Sequence, residues 1–419
     1  MAALAALVAM PYLLGMQPVT NGSAEEMGIP YYDGDGDVAK QMVLAALYAG
    51  FGVALLWKVR WQSLLALGAP LILLVGWCMA SALWSDLPSL TLRRVAALDG
   101  PVVIGMYAGL RFSFEDLCRI FCRLVAVVLL ASVLAGVVTP SLIWDAEGRL
   151  RGVLSHKNTF SAFVGFGLVT IMARIASTGW RSGYVFELVT AAGCLIGLVL
   201  ALSASPLPTI AFALLALLWV RKCRSSAANW SLALVLALVC LAGLVTPFIG
   251  NQLGGLANAL GRDADFSGRT LVWEFGVDLW SRDPLLGFGY GVFWQGEAGA
   301  LFLRWSRFAV PHAHNGWLQL ALDAGGIGVV LFLCGLATTL FRATRLLNAG
   351  ELARMSWPMA FIAFYLISNV VETQLWEGNN LLTALFVAVV VRTNLLAKTI
   401  AEPQVRRRGM PLHAERAHG

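Results

Sequence analysis

The feature that most constrains this chain is a recurrence of apolar stretches of about 20 residues, separated by short polar breaks. At 1.5 Å rise per residue, such a stretch crosses a hydrocarbon core about 30 Å thick as one α-helix. Twelve spans are predicted, at about 2–20, 41–57, 62–84, 95–112, 117–139, 159–177, 184–203, 206–221, 229–249, 314–341, 357–375 and 379–397. Inside hydrocarbon every backbone N–H and C=O must be satisfied within the segment, and these runs lack the alternation of a barrel strand. The predicted fold class is all-α, a polytopic transmembrane helix bundle. With 58% hydrophobic residues, 13% charged residues and a mean hydropathy of +0.74, against about a quarter charged in soluble domains, lipid is the expected solvent.

Lysines and arginines in short loops set the orientation. Lys58 and Arg60, then Arg111, Arg119 and Arg123, then Arg174 and Arg181, then Arg221, Lys222 and Arg224, then Arg342, Arg345 and Arg354, and last Arg406 to Arg408 fall on one side of the predicted path. That side is cytoplasmic, with both termini on it. The stretch at 2–20 carries Pro11 and Gly15 and also reads as the apolar region of a signal peptide, although a basic segment before it is missing. The predicted organisation is nine spans within 1–249, a large outer loop at 250–313, three spans within 314–397 and a basic cytoplasmic tail at 398–419, disordered from Glu402 onward. The cysteines sit in spans or at their cytoplasmic ends, so disulfides are not expected; Cys118 and Cys122 read as packing residues.

The 250–313 loop is too long and too aromatic for a connector and should fold as a cap. Within it, Leu271, Val272, Phe275 and Leu279 predict an amphipathic helix over Thr270 to Ser281, stopped by Asp283-Pro284, that suits a membrane surface. The following Gly287-Phe288-Gly289-Tyr290-Gly291 has no strand-turn-helix context and reads as a close-packed turn rather than a dinucleotide fingerprint.

Cations on the outer side break the charge rule: Arg93, Arg94, Arg149, Arg151, Lys157, Arg262, Arg269, Arg282, Arg304 and Arg307. The planar fork of arginine suits a phosphate, so a cluster at the bilayer surface suits a lipid diphosphate; snorkelling to headgroups or plain solvation is the other reading. Two segments stand out. Arg151-Gly152-Val153-Leu154-Ser155-His156-Lys157-Asn158 runs into the sixth span and Pro311-His312-Ala313-His314-Asn315 into the tenth. Asn158 and Asn315 are candidate N-caps, and free amides at such ends attract anions. The positive end of a helix disfavours imidazolium, so His314 suits a general base; it also reads as an interfacial histidine that only hydrogen-bonds. A metal held by His312 and His314 would lack evident third and fourth ligands.

Taken in order, these blocks resemble the O-antigen ligase and polymerase superfamily, in particular its exopolysaccharide polymerases. The resemblance rests on Trp84-Ser85-Asp86-Leu87-Pro88 with Arg93-Arg94, on Arg151-Gly152 through His156-Lys157-Asn158, and on Ser267-Gly268-Arg269 with Trp273. Pro284, Gly287-Phe288-Gly289 and His314-Asn315 with Gly325 and Gly328 complete the series, which covers roughly residues 75–395. Many relatives carry a Ser-(Arg/Lys) element after the seventh span where this chain has Ser203-Ala204-Ser205-Pro206.

The resemblance implies a metal-independent, cofactor-free glycosyltransferase of the C-type fold in the bacterial inner membrane, working on the periplasmic face. Its donor would be an oligosaccharide on polyprenyl diphosphate. Its acceptor would be a glycan or lipid A-core, with membrane lipids and a chain-length regulator as further partners and no nucleic acid. Carried over by position, Arg151 and Arg269 would bind and neutralise the diphosphate and His314 would deprotonate or orient the acceptor hydroxyl. Arg93, Arg94, His156, Lys157, Asn158 and Asn315 would bind substrate. Three other readings stand beside it. A ligase differs from a polymerase only in its acceptor. A transporter would carry intramembrane charges and repeated halves, and Asp99, Glu187 and Asp323 are the acidic residues read as lying within spans. A scaffold would leave the outward arginines unexplained, and no carboxylate pair suited to hydrolysis is evident among Asp263, Asp265, Glu274, Asp278 and Glu297.

Overall fold

The computed structural model describes residues 38–58, 65–154, 156–178, 184–203, 206–250, 268–307 and 310–408. Their order is α1 (Val38–Lys58), α2 (Ala69–Ala80), α3 (Pro88–Arg111), α4 (Phe114–Val138), α5 (Lys157–Thr178), α6 (Val185–Ala201), α7 (Pro206–Lys222), α8 (Ser226–Val245), α9 (Arg269–Trp280), α10 (Glu297–Ser306), α11 (Gly316–Asn348), α12 (Leu352–Ser368) and α13 (Leu381–Arg408). The fold is the expected polytopic all-α membrane bundle. Among the described residues five helices, α4, α5, α8, α11 and α13, are each long and apolar enough to cross a membrane, and shorter apolar helices stand beside them. The first predicted span lies outside the described residues.

Lipid-facing and protein-facing surfaces are legible in single helices. Leu234, Leu238, Leu241 and Val245 of α8 are exposed, whereas Phe386 to Val391 of α13 are buried. Exposed leucines at helical spacing are the surface that hydrocarbon covers. The centre is α12 with α13, and α13 packs along α3. Gly105 and Gly109 make that possible: a Cβ on either would run into the carbonyl oxygens of Ala384 and Ala388 and the side chains of Val387 and Val391. This is the close approach that small residues four apart allow between membrane helices.

Helix starts follow capping chemistry. Ser113 and Asp116 form a reciprocal capping box on α4, and Ser225 caps α8. Several boundaries differ from the sequence reading. Arg93 and Arg94 fall inside α3, which Pro88 starts seven residues before the predicted 95–112 span. Predicted span 357–375 ends as a helix at Ser368, leaving Asn369–Asn380 as a folded link. The tail expected to be disordered continues α13 as helix through Arg408. Glu187 pairs at 2.8 Å with Arg174, which lies within α5 rather than in a loop.

The glycine-rich turn has a structural purpose. Helix α11 is interrupted at Gly325 (φ 66°), a left-handed conformation that favours glycine. The backbone groups released there are taken up by the turn: Phe288 N donates to Leu322 O at 2.8 Å, and Gly326 N donates to Pro284 O at 2.7 Å. Gly287 (φ 71°) packs so close that a Cβ would meet Gly325 N. The 284–291 segment is thus a splint for the break in α11. Between α8 and α11, the predicted amphipathic helix forms as α9. It packs with α10 on a separate core of Val272, Trp273, Leu279, Phe293, Trp294 and Phe302.

Candidate functional site

Groups from distant parts of the chain converge on Glu372, in the link between α12 and α13. Arg269, the first residue of α9, donates from Nη2 to Glu372 Oε1 at 3.0 Å and from Nη1 to the Val371 carbonyl. Asn158, in the first turn of α5, donates from Nδ2 to the same carboxylate oxygen at 3.3 Å. Its Oδ1 accepts from Ser203 Oγ at 3.0 Å. His314 Nδ1 faces Glu372 Oε2 at 4.0 Å, an electrostatic contact too long for a hydrogen bond. Burial acts to raise the Glu372 carboxyl, but His314 and Arg269 outweigh it and hold it below the usual carboxylate range.

The histidine segment is held by its backbone. Ala313 N donates to Gln319 Oε1 at 2.9 Å, and the Ala313 carbonyl accepts from Trp273 Nε1 at 2.9 Å. Asn315 then caps α11 as expected, accepting from Leu318 N at 2.8 Å, while its Nδ2 donates to Gly243 O at 3.0 Å and Val370 O at 2.9 Å. These bonds hold His314 in a left-handed conformation, φ 52°, which costs an L-residue roughly 1–2 kcal/mol. Backbone strain of this kind persists only where the surroundings over-determine it. The His312 and His314 rings meet edge to face, centroids 4.2 Å apart. Burial, reinforced by His314, pushes His312 down to about 4, so it is neutral at pH 7.

Beside this cluster lies a cavity of about 120 Å³ lined by Arg94, His312, Gln319, Asp323, Thr373 and Glu377, among others. Gln319 Nε2 donates to Asp323 Oδ1 at 3.0 Å, so one amide ties the histidine segment to the cavity floor. Asn380 Nδ2 donates to Glu377 Oε2 at 2.9 Å. Burial raises Glu377 to about 7, against the opposing pull of Asn380 and Arg94. A larger hollow of about 560 Å³ between α9 and α10 carries Glu274 and Asp278 but none of the residues gathered at Glu372.

The structure brings Arg269, His314 and Asn158 together, and His156 stands close enough for Glu372 to act on its charge while burial holds its imidazole below the ordinary value. Asn158 is not the helix cap. His156 has that role, its Nδ1 accepting from Asn158 N at 3.1 Å, which leaves the Asn158 side chain for Glu372. Lys157 starts α5. Arg151 is buried on the segment before it, its backbone N donating to Ile143 O at 2.9 Å. Arg94 reaches the cavity and Arg93 is exposed on α3. Arg149 pairs with Asp145 at 2.8 Å and with Glu147, and Arg282 pairs with Asp278 at 2.6 Å; these two cations are accounted for by neighbours. Arg262 lies outside the described residues.

Sequence reasoning missed Glu372, Gln319, Thr373 and Glu377. The signal for Glu372 was present: an acid inside a predicted apolar span marks a site by itself. Extending the span at 357–375 across it concealed both the acid and the polar link.

Residues 189–333 match the O-antigen ligase family, a region holding Arg269, His312, His314 and Gln319 and ending before Glu372. The exopolysaccharide production protein ExoQ of Rhizobium meliloti (strain 1021) is 27% identical over 268 residues, which is 62% of this chain and 61% of that protein. The chain therefore matches less than two thirds of that relative's length. With the ordered motifs, these similarities support the resemblance of the chain to the O-antigen ligase and polymerase superfamily.

Proposed function

We propose that this protein is an inner-membrane glycosyltransferase that transfers a glycan from polyprenyl diphosphate to an acceptor sugar hydroxyl on the periplasmic side, polymerising the repeat units of a surface polysaccharide. The observation that carries the proposal is the convergence of Arg269, His314 and Asn158 on Glu372. In this reading Arg269 and Arg151 bind the diphosphate and offset the charge that develops on it as the glycosidic C–O bond breaks. The acceptor oxygen attacks the anomeric carbon, its proton passes to His314 Nε2, and polyprenyl diphosphate leaves. Glu372, facing Nδ1, stabilises the imidazolium that forms, as an orienting carboxylate does beside a general base. Asn158, His156, Lys157, Arg93 and Arg94 complete the substrate contacts. Both termini are cytoplasmic, opposite the reacting face.

ExoQ is described by its name as an exopolysaccharide production protein, which favours polymerisation; the family description, O-antigen ligase, favours ligation. Deleting the gene and restoring the native form or His314→Ala separates the two. A polymerase loses secreted polymer with lipopolysaccharide intact, unrescued by a stably expressed His314→Ala. A ligase loses the long chains of lipopolysaccharide while lipid-linked polymer accumulates. Full rescue of either product by His314→Ala removes His314 from the mechanism.

A further inference from the structure

We infer that the cavity lined by Arg94, His312, Asp323, Thr373 and Glu377 is the subsite for the acceptor sugar, with Asp323 and Glu377 reading its hydroxyls. The inference rests on the function proposed above and adds to it the location of the second substrate.

Polar groups without protein partners point to an occupant. Thr373 is 7% exposed and its Oγ1 has no hydrogen-bond partner, and neither does the buried Nδ1 of His312. A buried polar atom left unpaired costs about 1–3 kcal/mol, so native structures keep such atoms for water or a ligand. A sugar hydroxyl both donates and accepts, and it serves a threonine hydroxyl, an imidazole nitrogen and a carboxylate alike.

The acids are set in place beforehand. Gln319 holds Asp323, and Asn380 holds Glu377, whose backbone N donates to Thr383 Oγ1 at 3.0 Å. The backbone around the cavity is strained as well. Trp376 (φ 54°) and Asn379 (φ 53°) line it, and His314 (φ 52°) adjoins it through His312. Left-handed conformations in non-glycine residues gather where geometry serves binding or chemistry.

Size and direction fit one ring of a longer glycan. A volume of about 120 Å³ is well above the roughly 10–15 Å³ that one water requires, enough for the hydroxyl edge of a sugar. Arg94 both lines the cavity and is exposed on α3, so the rest of the chain would leave on its side. His312 lines the cavity and its ring meets that of His314, so a sugar seated here lies one imidazole away from the proposed base.

The test uses the full-length protein in lipid nanodiscs and, as probe, the single-repeat oligosaccharide cut from the host's own surface polysaccharide. Its binding is measured by calorimetric titration and by saturation-transfer NMR, for the native protein and for Glu377→Gln and Thr373→Val. Both replacements nearly keep side-chain volume. The expected result is binding by the native protein that weakens at least tenfold in Glu377→Gln and several-fold in Thr373→Val. Native-like binding by both variants, or no binding by the native protein, overturns the subsite. Glycosyl transfer from a lipid-linked donor is followed in the same nanodiscs. Binding with the expected variant effects but without any transfer sinks the proposed function and leaves the subsite standing. Transfer whose acceptor half-saturation is unmoved in Glu377→Gln sinks the subsite alone.

Discussion

Arg269 Nη2 and Glu372 Oε1 are 3.0 Å apart, joining the start of α9 to the link between α12 and α13 across a partly buried interface. Removing one member leaves the other charged and poorly solvated, which costs about 3–5 kcal/mol for a buried pair. Glu372→Ala is therefore expected to lower the unfolding temperature of the detergent-solubilised protein more than the double variant with Arg269→Met, which leaves no unpaired charge. Additive losses in a thermal double-mutant cycle would show that the two residues are uncoupled.

The same pair sets an acid limit. The folded carboxyl of Glu372 lies below its ordinary value of 4.5, so the native state binds fewer protons there than the unfolded state. The stabilisation is fully present above about pH 4.5 and is lost as pH falls through the lower folded value. Thermal melts at pH 7, 5 and 3.5 should show the gap between Glu372→Gln and native protein constant at the first two points and narrower at the most acidic one.

Glu377 has the opposite sign. Its folded carboxyl is raised from 4.5 to about 7, so ionising it in the cavity weakens the fold increasingly as pH rises from about 4.5 to 7. Glu377→Gln removes that cost and should melt a few degrees above the native protein at pH 8, with the gain vanishing near pH 5. A gain independent of pH would assign the effect to packing instead.

Gln319 tests whether the histidine segment must be held. Gln319→Leu removes the acceptor for Ala313 N and Trp294 Nε1 and the donor to Asp323, exposing three buried groups to the cost of about 1–3 kcal/mol each. The expected outcome is a folded protein with at least tenfold lower kcat and faster amide exchange at Ala313 and His314. Native kcat in a variant with faster exchange would show that the tether has no part in turnover.

Gly105 tests the packing of α3 on α13. Gly105→Ala puts a Cβ against Ala384 O and Val387, and overpacking of this kind costs typically 1–3 kcal/mol. Its better helix propensity does not offset that cost. Reduced yield in the membrane and a lower melting temperature are expected, while Gly76→Ala, a position with open space around it, should behave as native.

The bundle was legible because hydrophobic length is a local property: the apolar runs of α4, α5, α8 and α11 announce themselves residue by residue. The arginines and histidines of the site were legible for a related reason, since charge beside a predicted span is rare and costly. What was not legible depends on contacts across the sequence. Glu372 is 103 residues from Arg269 and 214 from Asn158, and no pattern near Glu372 names either partner. Asn158 looked like a cap because it precedes an apolar run, yet the helix begins one residue earlier and turns its amide toward Glu372. The purpose of the glycine-rich turn was hidden likewise, because it serves a break at Gly325 that lies more than 30 residues downstream.

As proposed above, this chain transfers a glycan from a lipid diphosphate by means of the groups gathered at Glu372. The most direct measurement puts purified native protein, His314→Ala and Arg269→Ala into proteoliposomes with a polyprenyl-diphosphate-linked repeat unit, then follows glycan length and released polyprenyl diphosphate together. The account predicts longer glycan and stoichiometric lipid release for the native protein, with both lost at least a hundredfold in the two variants while they remain folded. Elongation at native rates by folded His314→Ala and Arg269→Ala would contradict it.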